Sequence, residues 1–274
     1  MSVFVDICVQ LGDFNLDVKF ESSSKRIGIV GKSGAGKSVL LRCIAGIEDV
    51  KSGIIRIDDR VLYDKANNVN VPAQKRNIGY LFQNYALFPN MTVGQNIAAG
   101  IKLNKTQREQ RTKEMISKFH LEGFENHLPS QLSGGQQQRT ALARIMAHEP
   151  EVILLDEPFS AIDEELKSEL YAELQSMLND YNGTVIMVSH DKNEIYRFCD
   201  EYFIVGEEVD SVSSIPLIAN KVEIADSSSN VARAITDSLL RTGYILSKAD
   251  ISEINISEDG QNISVKLTDR RNNI

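Results

Sequence analysis

The chain has 274 residues, 42% of them hydrophobic and 25% charged, with a net charge of −8. That length suits one large domain, or one with a small appendage, and supplies enough apolar material for a core without disulfide or metal staples. The negative balance argues against nucleic acid as the principal partner, and no apolar run approaches the roughly 18 residues of a membrane span.

Residues 1–20 carry Asp6, Asp13 and Asp17 and lack a basic start, so they do not read as a signal peptide. Residues 2–9 and 15–20 alternate apolar with polar side chains around the turn-like Leu11-Gly12-Asp13, predicting two strands. Cys8, Cys43 and Cys199 are odd in number and scattered, as expected of reduced, mostly buried thiols in a cytoplasmic protein. Arg26–Val30 is a short apolar run of the kind buried in parallel sheets, and it leads directly into glycines and a helix from Ser38 to Ala45. Strand character continues in residues 53–61 and 78–82.

From residue 92 to 147 the sequence turns polar and helix-periodic, notably at 105–119 and 136–147. Strands return at residues 152–155, 184–188 and 201–205, separated by a helical stretch at 164–179. This order predicts an α/β core with an N-terminal β region and a helical subdomain at about 85–150. The expected boundary is 1–205 for the main domain, with 206–274 a small α+β appendage. In the appendage residues 251–256 and 262–267 alternate and 229–240 suggest a helix.

Residues 31–38 read Gly31-Lys32-Ser33-Gly34-Ala35-Gly36-Lys37-Ser38, the phosphate-loop pattern. Glycines let backbone amides turn around a phosphate, and the following helix points its positive end there. Lys37 is expected to reach the β- and γ-phosphates of a nucleotide and the Ser38 hydroxyl to ligate Mg²⁺. The apolar strand at 152–155 ends in Asp156 and Glu157, which places both acids at the carboxyl edge of the sheet. Asp156 suits Mg²⁺, and Glu157 suits a general base acting on water. Leu132-Ser133-Gly134-Gly135-Gln136 opens a helix, with Ser133 as N-cap, and forms a second anion-friendly site.

The segment from Leu132 to Gln136, followed by Gln-Gln-Arg and then the Asp-Glu strand, resembles the signature of ATP-binding-cassette ATPases. Gln83 matches that family's glutamine loop, Ser160-Ala161-Ile162-Asp163 its D-loop with Ile where Leu is common, and His190 its switch histidine. The resemblance spans about residues 3–205 and implies a P-loop NTPase core binding ATP and Mg²⁺. It further implies a head-to-tail dimer in which each site joins Lys37, Ser38, Gln83, Asp156, Glu157 and His190 of one copy to Ser133 and Gly135 of the other. On this reading Glu157, His190 and Gln83 act in catalysis, Ser38, Gln83 and Asp156 hold the metal, and Asp163 links the two sites. The rest of the loop, Gly31 to Gly36, and Gly134 and Gln136 complete the nucleotide contacts. Phe14 is the candidate to stack on adenine. Phe4 is its competitor, although its place in an alternating strand favours the core.

Residues 83–93 are apolar and aromatic where the family docks its membrane permease, and they resemble importer ATPases. An importer implies a peripheral position on the cytoplasmic face of the membrane and an extracytoplasmic solute-binding protein in the same complex. The short Leu11-Gly12-Asp13-Phe14-Asn15-Leu16, with residues 60–64 and 71–80, resembles molybdate- and tungstate-transport ATPases, making molybdate the favoured cargo. Sulfate, tungstate, spermidine and iron are the alternatives. A non-transport role in DNA repair or on ribosomes and an exporter role are less favoured, since tandem cassettes and long coiled-coil insertions are missing and the groove is importer-like.

Overall fold

The computed structural model describes residues 2–12, 14–160, 164–205, 215–216, 251–256 and 263–267. The chain divides into two compact units, Met1–Ser214 and Ile215–Ile274.

The first unit begins with an antiparallel sheet. Strand β1 (Val3–Leu11) pairs with β2 (Phe14–Ser22) and with β4 (Ser52–Ile57). Strands β5 (Arg60–Asp64) and β6 (Val69–Asn70) extend it to the order β2-β1-β4-β5-β6. Alternation sets the faces: Val3, Val5, Ile7 and Val9 are buried, and the residues between them are partly exposed. Phe4 therefore does not serve the core as its alternating strand suggested. It lies on the opposite face, with the Arg56 guanidinium 5.3 Å above its ring. Residues 53–61 are likewise not one strand but a hairpin. Asp58 takes a left-handed φ of 49°, which Asp tolerates better than most residues, and Ile57 pairs with Arg60 across the turn.

A parallel sheet packs beside this one in the order β10-β3-β9-β8-β7. Its strands are β3 (Arg26–Val30), β7 (Ile78–Leu81), β8 (Val152–Asp156), β9 (Thr184–Ser189) and β10 (Glu201–Ile204). Every residue of β8 and β9 is buried, which is why both read as unbroken apolar runs. Helix α1 (Lys37–Ala45) follows β3, and its Leu40, Leu41 and Ile44 are fully buried between the sheets. Side chains of this size contribute about 1.5–3 kcal/mol each when removed from water.

The intervening helices are α2 (Val93–Ala98), α3 (Lys105–Lys118) and α4 (Gly134–Met146), which pack on one another. Their starts are chemically marked. Thr92 and Gln95 form a capping box on α2, Asn104 caps α3, and Ser133 with Gln136 forms a capping box on α4. Helices α5 (Glu164–Asp180) and α6 (Lys192–Phe198) complete the unit. Cys43 and Cys199 are buried and Cys8 partly so, all three as free thiols. Among the described residues no helix is long and apolar enough to cross a membrane.

In the second unit Ile251–Ile256 and Ile263–Leu267 form an antiparallel pair. The helix expected at 229–240 lies outside the described residues, as do residues 206–214 between the expected boundary and Ile215.

Candidate active site

Strand β3 ends at Val30, and the chain turns through residues 31–36 into α1. Gly36 is the N-cap of α1 at φ 94°, and a Cβ there would lie 2.8 Å from the Phe14 ring. Glycine is thus required both for backbone conformation and for space. Lys37, 6% exposed, is tethered over the loop: its Nζ donates to Gly31 O at 2.8 Å and Lys32 O at 3.2 Å. The ammonium therefore sits at the positive end of α1, where two like contributions favour an anion.

Opposite the loop, buried Asp156 closes β8, and both of its oxygens are engaged. Ser38 Oγ donates to Oδ1 at 2.7 Å, and Tyr80 OH donates to Oδ2 at 2.8 Å. Burial, reinforced by the Asp156 charge, pushes the Tyr80 hydroxyl far above its ordinary range, so it remains a donor. Glu157 leaves the strand with a left-handed φ of 49°, and its amide donates to Val188 O at 3.0 Å. That turn aims its carboxylate back at the loop. Oε1 lies 3.8 Å from Lys37 Nζ, and Oε2 is hydrogen-bonded to His190 Nδ1.

His190 follows β9 and is held by a buried anchor. Ser189 Oγ accepts from Asp191 N at 3.0 Å and donates to Glu194 at 2.6 Å. Tyr171 OH of α5 donates to the other Glu194 oxygen at 3.1 Å. Burial raises the Glu194 carboxyl above its usual value, partly offset by those two donors.

Lys37, Ser38, Glu157 and His190 border an open cleft of about 770 Å³, lined also by Leu11, Phe14, Ser33, Gly34, Gly36, Val39, Gln83 and Ser160; Gly31, Lys32, Ala35 and the buried Asp156 lie outside that lining. Phe14 lines the cleft and also packs against the core. Ser133, Gly134, Gly135 and Gln136 are not among the lining residues. Ser133 and Gly134 are exposed at the start of α4, while Gly135 is buried with a would-be Cβ 3.4 Å from Leu170. Asp163 lies outside the described residues.

The chemistry of the donor set can be tested against Mg²⁺. Ser38 Oγ and Asp156 Oδ1 are hard oxygens 2.7 Å apart, and no group of three or more His, Cys, Asp or Glu arranged to hold a metal ion occurs among the described residues. Mg²⁺ is commonly held by one or two protein oxygens, its remaining positions going to water and substrate phosphates. The set fits.

Beyond Gln83 the chain runs through Tyr85 at φ 60° and Ala86 at φ 42°, both left-handed without being glycine. Two side chains hold this segment. Arg144 of α4 donates to Ala86 O at 2.8 Å and Tyr85 O at 2.9 Å, with Phe88 stacked 5.4 Å from its guanidinium. Asn96, fully buried, accepts from Phe88 N and donates to Phe88 O, Met91 O and Thr92 O. Tyr85 is buried, whereas Phe88 and Met91 are exposed. Tyr80, Asn96, Arg144 and Glu194 were not flagged by the motifs. Tyr80, Arg144 and Glu194 are paired across distant elements and Asn96 with irregular backbone beside its own helix, which spacing along one strand or helix does not show.

Among known protein families, residues 13–160 match the ABC transporter family. The chain belongs to that family. A sulfate/thiosulfate import ATP-binding protein from Synechocystis is 41% identical over 75% of this chain and 58% of its own length. A spermidine/putrescine import ATP-binding protein from Thermotoga maritima is 39% identical over 85% of this chain and 61% of its own. The chain thus spans about 60% of the length of these curated relatives. The solved ATP-binding cassette MJ0796, a dimer in a post-hydrolysis state bound to ADP and Pi, superimposes with a TM-score of 0.64 at 27% identity. That superposition covers 78% of this chain and 99% of the cassette. The fold is accordingly that of an ABC ATPase cassette: a P-loop core with an antiparallel β region, a parallel sheet and helices, as the motifs led one to expect.

Proposed function

We propose that this chain is the ATP-hydrolysing motor subunit of an importer, acting as a head-to-tail dimer beneath a membrane permease. The observation that carries the reading is the cleft itself. Lys37, Ser38, Gln83, Glu157 and His190 border one space, while the exposed Ser133 lies outside it. The phosphate loop and Lys37 hold the β- and γ-phosphates, Phe14 meets the adenine, and Ser133, Gly134, Gly135 and Gln136 of a second copy close over the γ-phosphate. Ser38, Asp156 and Gln83 hold Mg²⁺, which when bound offsets charge on the phosphates. Glu157, facing Lys37 and oriented by His190, takes the proton of the attacking water. His190 then contacts the γ-phosphate, and Asp163 relates the two sites across the dimer.

Residues 83–93 dock the permease, which places the chain peripherally on the cytoplasmic face of the membrane. A solute-binding protein works outside in the same complex. Residues 1–205 form the motor and 206–274 a separate appendage. The cargo is a tetrahedral oxyanion. Molybdate is the one favoured by the resemblance of residues 11–16, 60–64 and 71–80, and the sulfate/thiosulfate relative supports the same class. The spermidine/putrescine relative supplies the rival.

The purified chain is expected to hydrolyse ATP. Glu157→Gln should bind ATP, lose about 10²–10⁴-fold in kcat as befits removal of a general base, and accumulate as a dimer. Uptake of molybdate, tungstate, sulfate and spermidine is then measured in cells lacking the chain. Rescue by wild type but not by Glu157→Gln identifies the motor. A defect confined to spermidine refutes the oxyanion, and undiminished hydrolysis by Glu157→Gln refutes the assigned base.

A further inference from the structure

The Asp156 carboxylate is held by two hydroxyls from opposite sides. Ser38 reaches Oδ1 from the helix that follows the phosphate loop, and Tyr80 reaches Oδ2 from the neighbouring strand β7. Their fates differ once a metal binds. On the proposed reading Ser38 and Asp156 would both turn oxygens to Mg²⁺, so Oδ1 would be shared between Ser38 and the metal. The Tyr80 hydroxyl has no such competing duty.

A carboxylate rotates over a broad, roughly two-fold torsion about its last bond. With one oxygen on the metal, its plane is fixed only if the other oxygen is also held. Tyr80 is 9% exposed, and its ring lies 4.2 Å from that of Phe82 within the core. A phenylalanine would fill that space equally well, so packing alone does not call for the oxygen. Strand β7 ends at Leu81, two residues before Gln83, which lines the cleft. One short segment therefore carries both the support for Asp156 and a second expected metal ligand.

We propose that Tyr80 is a positioning residue for the metal site, its hydroxyl fixing the Asp156 carboxylate in the orientation that binds Mg²⁺. The inference rests on the reading of Asp156 as a metal ligand. Outer partners of this kind commonly carry about 10–100-fold in metal affinity.

The test uses the full chain carrying Glu157→Gln, with ATP present and Mn²⁺ as a spectroscopic probe read by electron paramagnetic resonance. Tyr80→Phe should weaken Mn²⁺ binding about tenfold and leave ATP binding in chelator within twofold. Adding Tyr80→Phe to an Asp156→Asn chain should change neither. Unchanged Mn²⁺ affinity in Tyr80→Phe overturns the proposal, as does a parallel loss of metal-free ATP binding, which would mark a structural role. Failure of the parent chain to bind Mn²⁺ at all would instead strike the metal-ligand reading of Asp156.

Discussion

Arg76 offers a direct test of how the phosphate-loop helix is held. The residue is 2% exposed, and no carboxylate is among its hydrogen-bond partners. Its guanidinium donates to Cys43 O at 2.9 Å and Ile44 O at 2.8 Å at the C-terminal end of α1, to Val71 O at 2.7 Å, and to Asn70 at 3.2 Å. A buried cation is stable here because the helix presents its negative end and unpaired carbonyls to it. Burial pulls the guanidinium below its usual pKa without discharging it near neutrality.

Arg76→Met keeps an unbranched apolar stem and removes the donors. Cys43 O retains the amide of Gly46 at 3.1 Å, but Ile44 O and Val71 O lose Arg76. At about 1.5 kcal/mol for each buried carbonyl and about 0.5–1 kcal/mol for the helix-end charge, the loss is about 3–4 kcal/mol. For a unit of this size that lowers Tm by roughly 6–15 °C. Thermal unfolding followed by circular dichroism at fixed pH reads it directly. Nucleotide affinity measured well below Tm should stay within a few-fold, because the cap lies at the opposite end of α1 from Lys37. A Tm shift under 2 °C would refute the capping account.

Asn96→Ala strips the donors and acceptor that hold residues 88–92 and should cost about 3 kcal/mol. Amide exchange in that segment should quicken ahead of global unfolding, and equal protection in both chains would contradict this. Glu194 gives a pH signature. Its carboxyl is raised above the ordinary 4.5, so the folded chain holds that proton more tightly than the unfolded one. Stability from this group is therefore fully present below pH 4.5 and is lost as pH rises through the folded value. Relative to Glu194→Gln, wild type should lose unfolding free energy across that window; a flat or rising difference argues against a buried, raised carboxyl. A shared site also predicts that ATPase activity per chain rises with chain concentration, and strict proportionality at low concentration would speak for a complete site in the monomer.

The phosphate loop, the Asp156-Glu157 strand end and the Ser133 cap were legible because each is a local pattern whose physics is complete within a few residues. The parallel strands were legible for the same reason: β8 and β9 are buried throughout and read as apolar runs. What escaped was long-range or sign-ambiguous. Alternation in β1 identifies two faces without saying which is inside, and Phe4 fell on the outer one. Residues 53–61 carry strand propensity on both sides of a turn marked only by two aspartates, so the break at Asp58 was hidden. Arg76 and Asn96 are buried polar side chains whose partners lie as far as 33 residues away in Cys43 or in irregular backbone. Their meaning depends on carbonyls, and every residue type supplies those.

The arrangement also bears on why one chain should carry two anion-friendly sites. Lys37 and the start of α1 face the cleft, yet Ser133 and Gly134 present the start of α4, a 13-residue helix, to solvent. Ser133 and Gln136 occupy each other's capping groups, but several amides of the first turn still have no partner within the helix. An exposed positive helix end gains little from water at physiological salt and more from a fixed anion. On the proposed reading the γ-phosphate of a nucleotide held by a second copy would be such an anion, two-fold symmetry would supply it twice, and closure would last only while that phosphate is present. Arg144 ties α4 to the backbone just after Gln83 and stacks on the exposed Phe88.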